Sequence, residues 1–269
     1  MSSEHHPEWV IDPETPSVAR MYDYYLGGKD NFASDRKAAD QVVAAMPNVL
    51  EFTRANRRLL SRAVTMMAGR GVRQFLDIGS GLPTQENVHQ VAQRAAPDSR
   101  VIYVDNDPIV LTHARALLAD NPQTTVVQAD LREPGSVLEH PEVKARIDFD
   151  RPVGLLLLAI LHFVPDEERP AEIVAKLRAP LVPGSYLVIS HGHRGAVSRE
   201  VEEQVRSAYG RTGAGDLIPR GVDEVTTFFE GTELVGPGIV QVADWREDAE
   251  PFESDMSRPG FLAGVGRVG

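Results

Sequence analysis

The sequence predicts an α/β fold: a doubly wound, mostly parallel sheet of seven strands, with an antiparallel edge hairpin and an N-terminal helical lid. Three observations carry this. From residue 74 onward, short apolar segments alternate with amphipathic stretches, the pattern of right-handed βαβ crossovers. The run Val153 to Ala159 is apolar throughout, as a strand covered on both faces should be. Three helical stretches precede the first strand and must pack over it.

Met1 to Pro16 is polar and proline-rich and reads as an extended leader. Ser17 to Leu26 reads as a helix stopped by Gly27-Gly28. Ser34 to Ala45 is a second helix, with Ser34 as N-cap and Asp35 facing the helix dipole. A third spans Val49 to Ala68, burying Leu50, Leu59, Leu60, Ala63, Val64 and Met67 before Gly69 and Gly71. Strands follow at Gln74–Ile78, Arg100–Val104, Thr124–Gln128, Val153–Ala159 and Ser185–Ser190. Helices at Glu86–Ala95, Ile109–Ala119 and Ala171–Leu177 separate them. Val197–Tyr209 and Val222–Phe229 read as helices, and Ile239–Val242 with Phe261–Val265 as the edge hairpin. The acidic connection Trp245–Arg258 reads as a flexible loop. Residues 1–70 are thus a leader and lid, and 71–269 a single core.

Lys and Arg total 28 against 39 Asp and Glu, a net charge of -11, which disfavours a nucleic-acid partner held by neutralised phosphates. Cysteine is absent, so thiolate metal sites and cysteine nucleophiles are excluded. No His/Asp/Glu spacing compels a metal. The N-terminus lacks the basic-then-apolar order of a signal peptide, and no apolar run spans a bilayer. A cytoplasmic protein without a membrane partner is expected; its oligomeric state is not readable.

The chemistry gathers at three strand ends. Asp77-Ile-Gly79-Ser80-Gly81 ends the first strand; Gly79 allows a tight turn, and Gly81 lets a ligand approach the backbone. Asp105, followed by Asn106, ends the second, where a carboxylate accepts both hydroxyls of a ribose. Asp130 follows the third, able to accept an adenine amino proton with Leu131 beside the ring. A dinucleotide fingerprint requires a third glycine, but Thr84 occupies that position and Pro83 removes an N–H. This argues against NAD and a nicotinamide oxidoreductase. An adenosine ligand with a zwitterionic amino-acid end needs less phosphate cradle.

Asp77-x-Gly79-x-Gly81, Asp105, Ala129-Asp130-Leu131, the segment Leu158-Ala159-Ile-Leu-His162-Phe-Val-Pro-Asp166 and the turn Leu181-Val-Pro-Gly-Ser185 together resemble the class I S-adenosylmethionine-dependent methyltransferases. Ser185 departs from that superfamily's second glycine. The run Ala19-Arg-Met-Tyr-Asp-Tyr-Tyr-Leu-Gly-Gly-Lys-Asp-Asn-Phe32, with Arg54-Ala-Asn-Arg57, is similar to an actinobacterial methyltransferase family of unassigned substrate, formerly a domain of unknown function. The resemblance implies a Rossmann-like core and S-adenosyl-L-methionine as cofactor. It places Asp77, Gly79, Ser80 and Gly81 at the methionine end, Asp105 and Asn106 at the ribose, and Asp130 with Leu131 at the adenine. Ala159, at the fourth strand end, completes the set. The resemblance says little of the acceptor. The acidic balance and the absence of an Asn/Asp-Pro-Pro-Tyr-like motif after Ala159 favour a small molecule, methylated on an O or N nucleophile. A protein that binds the same cofactor for sensing or regulation is the alternative, and an unambiguous general base would separate the two.

His162, just beyond the fourth strand, is the first candidate base, followed by His191 and His193 after the fifth. Tyr25 joins them as a candidate catalytic group within the cluster Tyr22, Tyr24, Tyr25. That cluster reads either as a helix burying its tyrosines or as a lid excluding water. Arg57 is placed to reach the cofactor carboxylate or an acidic acceptor.

Overall fold

The computed structural model describes residues 12–83, 86–118, 121–250 and 252–269. Thr84 and most of the expected leader, residues 1–11, lie outside them.

Helices α1 (Val18–Tyr25), α2 (Ala33–Ala45) and α3 (Val49–Gly69) precede the sheet. Ser34 is not the cap of α2. Phe32 holds that position, its N–H donated to Asp35 Oδ2 at 2.7 Å, while the Ser34 hydroxyl donates to Pro13 O. Asp35 also accepts from Ser17 N at 2.8 Å and from Arg20 Nε at 2.7 Å, joining the starts of α1 and α2 through one buried carboxylate. The turn between them is equally specific. Asp23 accepts from Asp30 N at 3.0 Å and Asn31 Nδ2 at 2.9 Å, and a Cβ on Gly28 would lie 1.9 Å from its carboxylate.

The core continues as β1 (Gln74–Ile78), α4 (Val88–Ala95), β2 (Arg100–Asp105), α5 (Pro108–Leu117) and β3 (Thr124–Gln128). Two short helices the sequence reading missed, α6 (Pro134–Leu138) and α7 (Pro141–Arg146), each begin on a proline, which is pre-organised for a first helical position. Then come β4 (Gly154–Leu158), 3₁₀ turns Leu161–Phe163 and Asp166–Glu168, α8 (Pro170–Arg178), β5 (Tyr186–His193), α9 (Arg199–Tyr209) and α10 (Val222–Thr227). β6 (Thr232–Leu234), β7 (Val240–Gln241) and β8 (Gly260–Val268) finish the chain.

The sheet has eight strands, not seven, in the order β3-β2-β1-β4-β5-β8-β6, with β7 also on β8. β6 and β7 lie end to end along the same side of β8, pairing with Gly266–Val268 and with Leu262–Ala263 respectively. Gly236 (φ 69°) and Gly238 (φ 84°), flanking Pro237, break what would be one strand. Eight strands therefore fill seven positions. The expected edge hairpin is present: β7 and β8 pair antiparallel, with β8 inside against β5 and the broken pair outermost. β5 is longer than expected, so His191 and His193 lie within it, opposite Leu262 and Gly260.

Side chains alternate between two cores with the strand period. Phe75, Val101, Tyr103, Leu156 and Val188 pack against α3, α4 and α5, while Leu76, Ile102, Leu155, Leu157 and Ile189 pack on the other face with α8 and α10. Trp245 belongs to the first core and is 0% exposed, so the start of the expected flexible loop is anchored. A third core lies above the carboxyl ends of the parallel strands. It joins Met21, Tyr25, Ala39, Val42 and Val49 to Val205 and Ala208 of α9. Among the described residues no helix is long and apolar enough to cross a membrane.

Candidate active site

The third core roofs one continuous cavity of about 550 Å³, within the range of small-molecule sites. Its floor is the row of strand ends predicted from sequence, since β3, β2, β1 and β4 are successive neighbours. Asp77, Gly79, Ser80, Gly81, Asp105, Asn106, Asp130, Leu131 and Ala159 all line it. So do Tyr25 and His162.

Local geometry explains each floor residue. Asp77 has the parity of Phe75 on β1 and so faces α3. It is 6% exposed, and burial raises its carboxyl to about 7, with Arg57 opposing and Asp105 reinforcing the shift. Asp105, 9% exposed, accepts from Gly81 N and Asp107 N, each at 2.9 Å. Burial lifts it to about 6 against those two N–H groups. Gly79 turns at φ 72° with its N–H on Val104 O at 2.8 Å, and a Cβ there would strike Ile160 at 2.5 Å. Gly81, at φ 63°, would meet nothing within 4 Å; the space beside it is open for a ligand. Burial pushes Asp130 up, but hydrogen bonds from Arg132 outweigh it and hold the carboxyl below its ordinary value; Asn106 Nδ2 donates to it at 3.4 Å. Ala159 holds a left-handed backbone at φ 54°, its N–H shared between Ser190 O and Oγ at 3.0 and 2.9 Å.

These residues fit an adenosyl ligand with an amino-acid end: two buried carboxylates, Asp77 and Asp105, line the cavity as hydrogen-bond acceptors. Thr53 Oγ1 and Asn56 Oδ1, buried on α3, also line the cavity without a partner. Sequence reasoning passed over both. They sit at i and i+3 on the buried face of α3 with Leu60, a polar interruption that was the available signal. Arg57 lines the cavity too, donating to Glu86 O at 2.9 Å and Asn87 Oδ1 at 3.1 Å.

The histidines divide. His191 is fully buried: Nδ1 faces Gly192 O at 2.9 Å, and Nε2 accepts from Arg220 Nη1 at 3.0 Å. It does not line the cavity, and burial lowers it to about 3, so it is not placed to take a proton from a ligand. His193 reaches the cavity edge, but both ring nitrogens face carbonyls, Arg220 O and Met256 O. His162, 3% exposed, accepts Gly192 N–H at Nδ1 over 3.0 Å. A backbone N–H can only donate, so the ring proton sits on Nε2. Burial, reinforced by His191 and Arg220, keeps this imidazole neutral, well below its ordinary pKa. Its single lone pair is already engaged. The second ring nitrogen of this candidate base is thus a hydrogen-bond donor in this arrangement.

Arg220, unnoticed in the sequence, holds this arrangement. It is 4% exposed and donates to Leu161 O at 3.2 Å, Val164 O at 2.9 Å and Asp166 as well as His191. The Tyr25 hydroxyl on α1 meets that of Tyr209 on α9 at 3.3 Å. Burial raises Tyr25 well above its ordinary value and Tyr209 to about 12, so neither is a ready base.

Known proteins share this fold. A DUF574 family protein from Streptomyces avermitilis MA-4680 is 43% identical and superimposes with a TM-score of 0.88, covering 97% of this chain and 100% of that one. A Thermobifida fusca YX protein proposed to be a methyltransferase is 41% identical, with a TM-score of 0.84 over 95% and 96% of the two chains. The carboxy-S-adenosyl-L-methionine synthase of Geobacter sp. (strain M21) is 27% identical over 165 residues, 58% of this chain and 61% of that protein's length. The sequence model of the S-adenosyl methyltransferase family matches residues 4–269, and the chain belongs to that family, an S-adenosylmethionine-dependent methyltransferase.

Proposed function

We propose that the protein transfers a methyl group from S-adenosylmethionine to an O or N nucleophile of a small molecule. The observation that carries this is one continuous cavity lined by the strand-end carboxylates, by His162 and by apolar residues of α9. In this reading Asp77, Gly79, Ser80 and Gly81 take the methionine end, Asp105 and Asn106 the ribose, Asp130 and Leu131 the adenine, and Ala159 the wall beside the sulfonium. The bound cofactor supplies an electrophilic methyl carbon. The chain supplies position, holding the nucleophile about 3 Å from that carbon. Helices α1 to α3, with α9, act as a lid that excludes water.

The test is a panel of thermal shifts with S-adenosylmethionine, S-adenosylhomocysteine and NAD, followed by untargeted transfer of labelled methyl groups into a cell extract. Stabilisation by the two sulfur nucleosides and labelling of a small metabolite are expected. A shift with NAD alone, or labelling confined to macromolecules, would overturn the proposal.

A further inference from the structure

We infer that the methyl acceptor carries an acidic hydroxyl, a phenol or an enol, whose oxygen anion is held by His162 Nε2–H. The inference rests on the function proposed above and narrows it from O or N nucleophiles to one class.

The argument starts from proton positions. Gly192 N–H fixes the His162 proton on Nε2, and Nδ1 bonds nothing else. The ring cannot swing away from the cavity it lines: Phe261 stacks on it with 5.6 Å between centroids and 16° between planes, and His191 meets it edge-on at 5.5 Å. Phe163 packs against the same ring with 4.5 Å between centroids.

The other groups packed around it do not change the balance. Arg220 is cationic and lies behind the histidines, while Glu202 on α9 pairs with Arg194 at 3.6 Å. Arg206 of α9 also lines the cavity and pairs with Asp216 at 3.0 Å, and Thr53 and Asn56 line it from α3. Val197, Val201, Val205, Leu217 and Pro219 are the apolar part of the wall. A fixed donor beside an apolar wall stabilises an oxygen anion. It does little for an amine, whose methylation yields a cation that must shed a proton. His162 has no lone pair to receive it.

The step balances without a base in the cavity. The acceptor hydroxyl loses its proton to water before the lid closes. The oxygen anion's electron pair then forms the new C–O bond as the carbon–sulfur pair returns to sulfur. An anion and a sulfonium cation become two neutral products.

The experiment uses intact protein saturated with S-adenosylhomocysteine and two probes of matched shape, 4-nitrophenol and 4-nitroaniline, with phenolate absorbance as the readout. 4-Nitrophenol should bind about 10- to 100-fold tighter, the worth of hydrogen bonds to a charged acceptor, and should ionise at lower pH when bound than when free. His162→Leu should abolish the shift in ionisation. His162→Gln, which can both accept from Gly192 and donate to the probe, should restore part of it. Retained S-adenosylhomocysteine affinity shows that each variant is folded. Equal binding of the two probes, no binding of 4-nitrophenol to the saturated wild type, or an unchanged ionisation shift in folded His162→Leu would overturn the inference. Failure of the wild type to bind S-adenosylhomocysteine would instead break the cofactor assignment.

Discussion

Acidification should weaken cofactor binding steeply, and the size of the effect follows from two buried carboxyls. Asp77 titrates near about 7 and Asp105 near about 6 in the ligand-free protein, both lifted chiefly by burial. In the proposed complex each accepts protons from the ligand, so binding requires both ionised. At about pH 5 roughly one Asp77 in 100 and one Asp105 in ten would be ionised, and the apparent dissociation constant rises by about 1000-fold over its value at about pH 8. The two carboxylates repel one another, so protonating one eases ionisation of the other and reduces this toward about 100-fold. Calorimetric titration with S-adenosylhomocysteine across that window measures it directly, and Asp77→Asn should lose the steeper part of the slope. Stability moves the opposite way. Both carboxyls lie above their ordinary 3.8, so their contribution to folding is full below that value and is lost as pH rises through about 6 and about 7. The ligand-free protein should gain stability relative to Asp77→Asn over the same acidification that weakens binding. An affinity that stays flat across the window would refute the reasoning.

The two turn glycines should fail differently. Gly81→Ala has open space around its Cβ and should fold at a cost of about 1–2 kcal/mol for its left-handed backbone, yet lose cofactor affinity; unchanged affinity would remove it from the cradle. Gly79→Ala drives a Cβ into Ile160 and should cost about 2–5 kcal/mol, the sum of overpacking and backbone strain, in a urea titration. Arg220→Met leaves Leu161 O, Val164 O and His191 Nε2 without their donor and should cost about 3–5 kcal/mol. Arg220→Lys should recover little, because an ammonium cannot span the same fan of acceptors; full recovery would show that charge alone matters.

The parallel part of the sheet was legible because its strands are short, apolar and separated by helices of ordinary length. Asp77, Asp105 and Asp130 were legible for the same reason: each stands at or just beyond a strand end, and neighbouring strands bring strand ends together. Features fixed by long-range contacts were not. Nothing near residue 205 announces that α9 will complete a core begun at residue 21. The proton on His162 is set by an N–H thirty residues away, on a strand that pattern alone ended too early. The Tyr-Tyr-Leu-Gly-Gly-Lys-Asp-Asn run was read by its tyrosines, but much of its specificity lies in the Asp23 turn, which tolerates only glycine at position 28.

That third core constrains how such a chain can be altered by recombination. Its residues come from two segments about 150 positions apart, 21–50 and 201–217, so neither half is apolar-complete without the other. Exchanging the first 70 residues between relatives would set the side chains of one parent against an α9 tuned to the other. Ser17 Oγ, bonded to Asp107 Oδ2 at 3.0 Å, adds a second seam, next to the Asp105 loop. Viable chimaeras should therefore inherit both segments from the same parent, and changes of acceptor should arise as paired substitutions across the two rather than by grafting a new N-terminus.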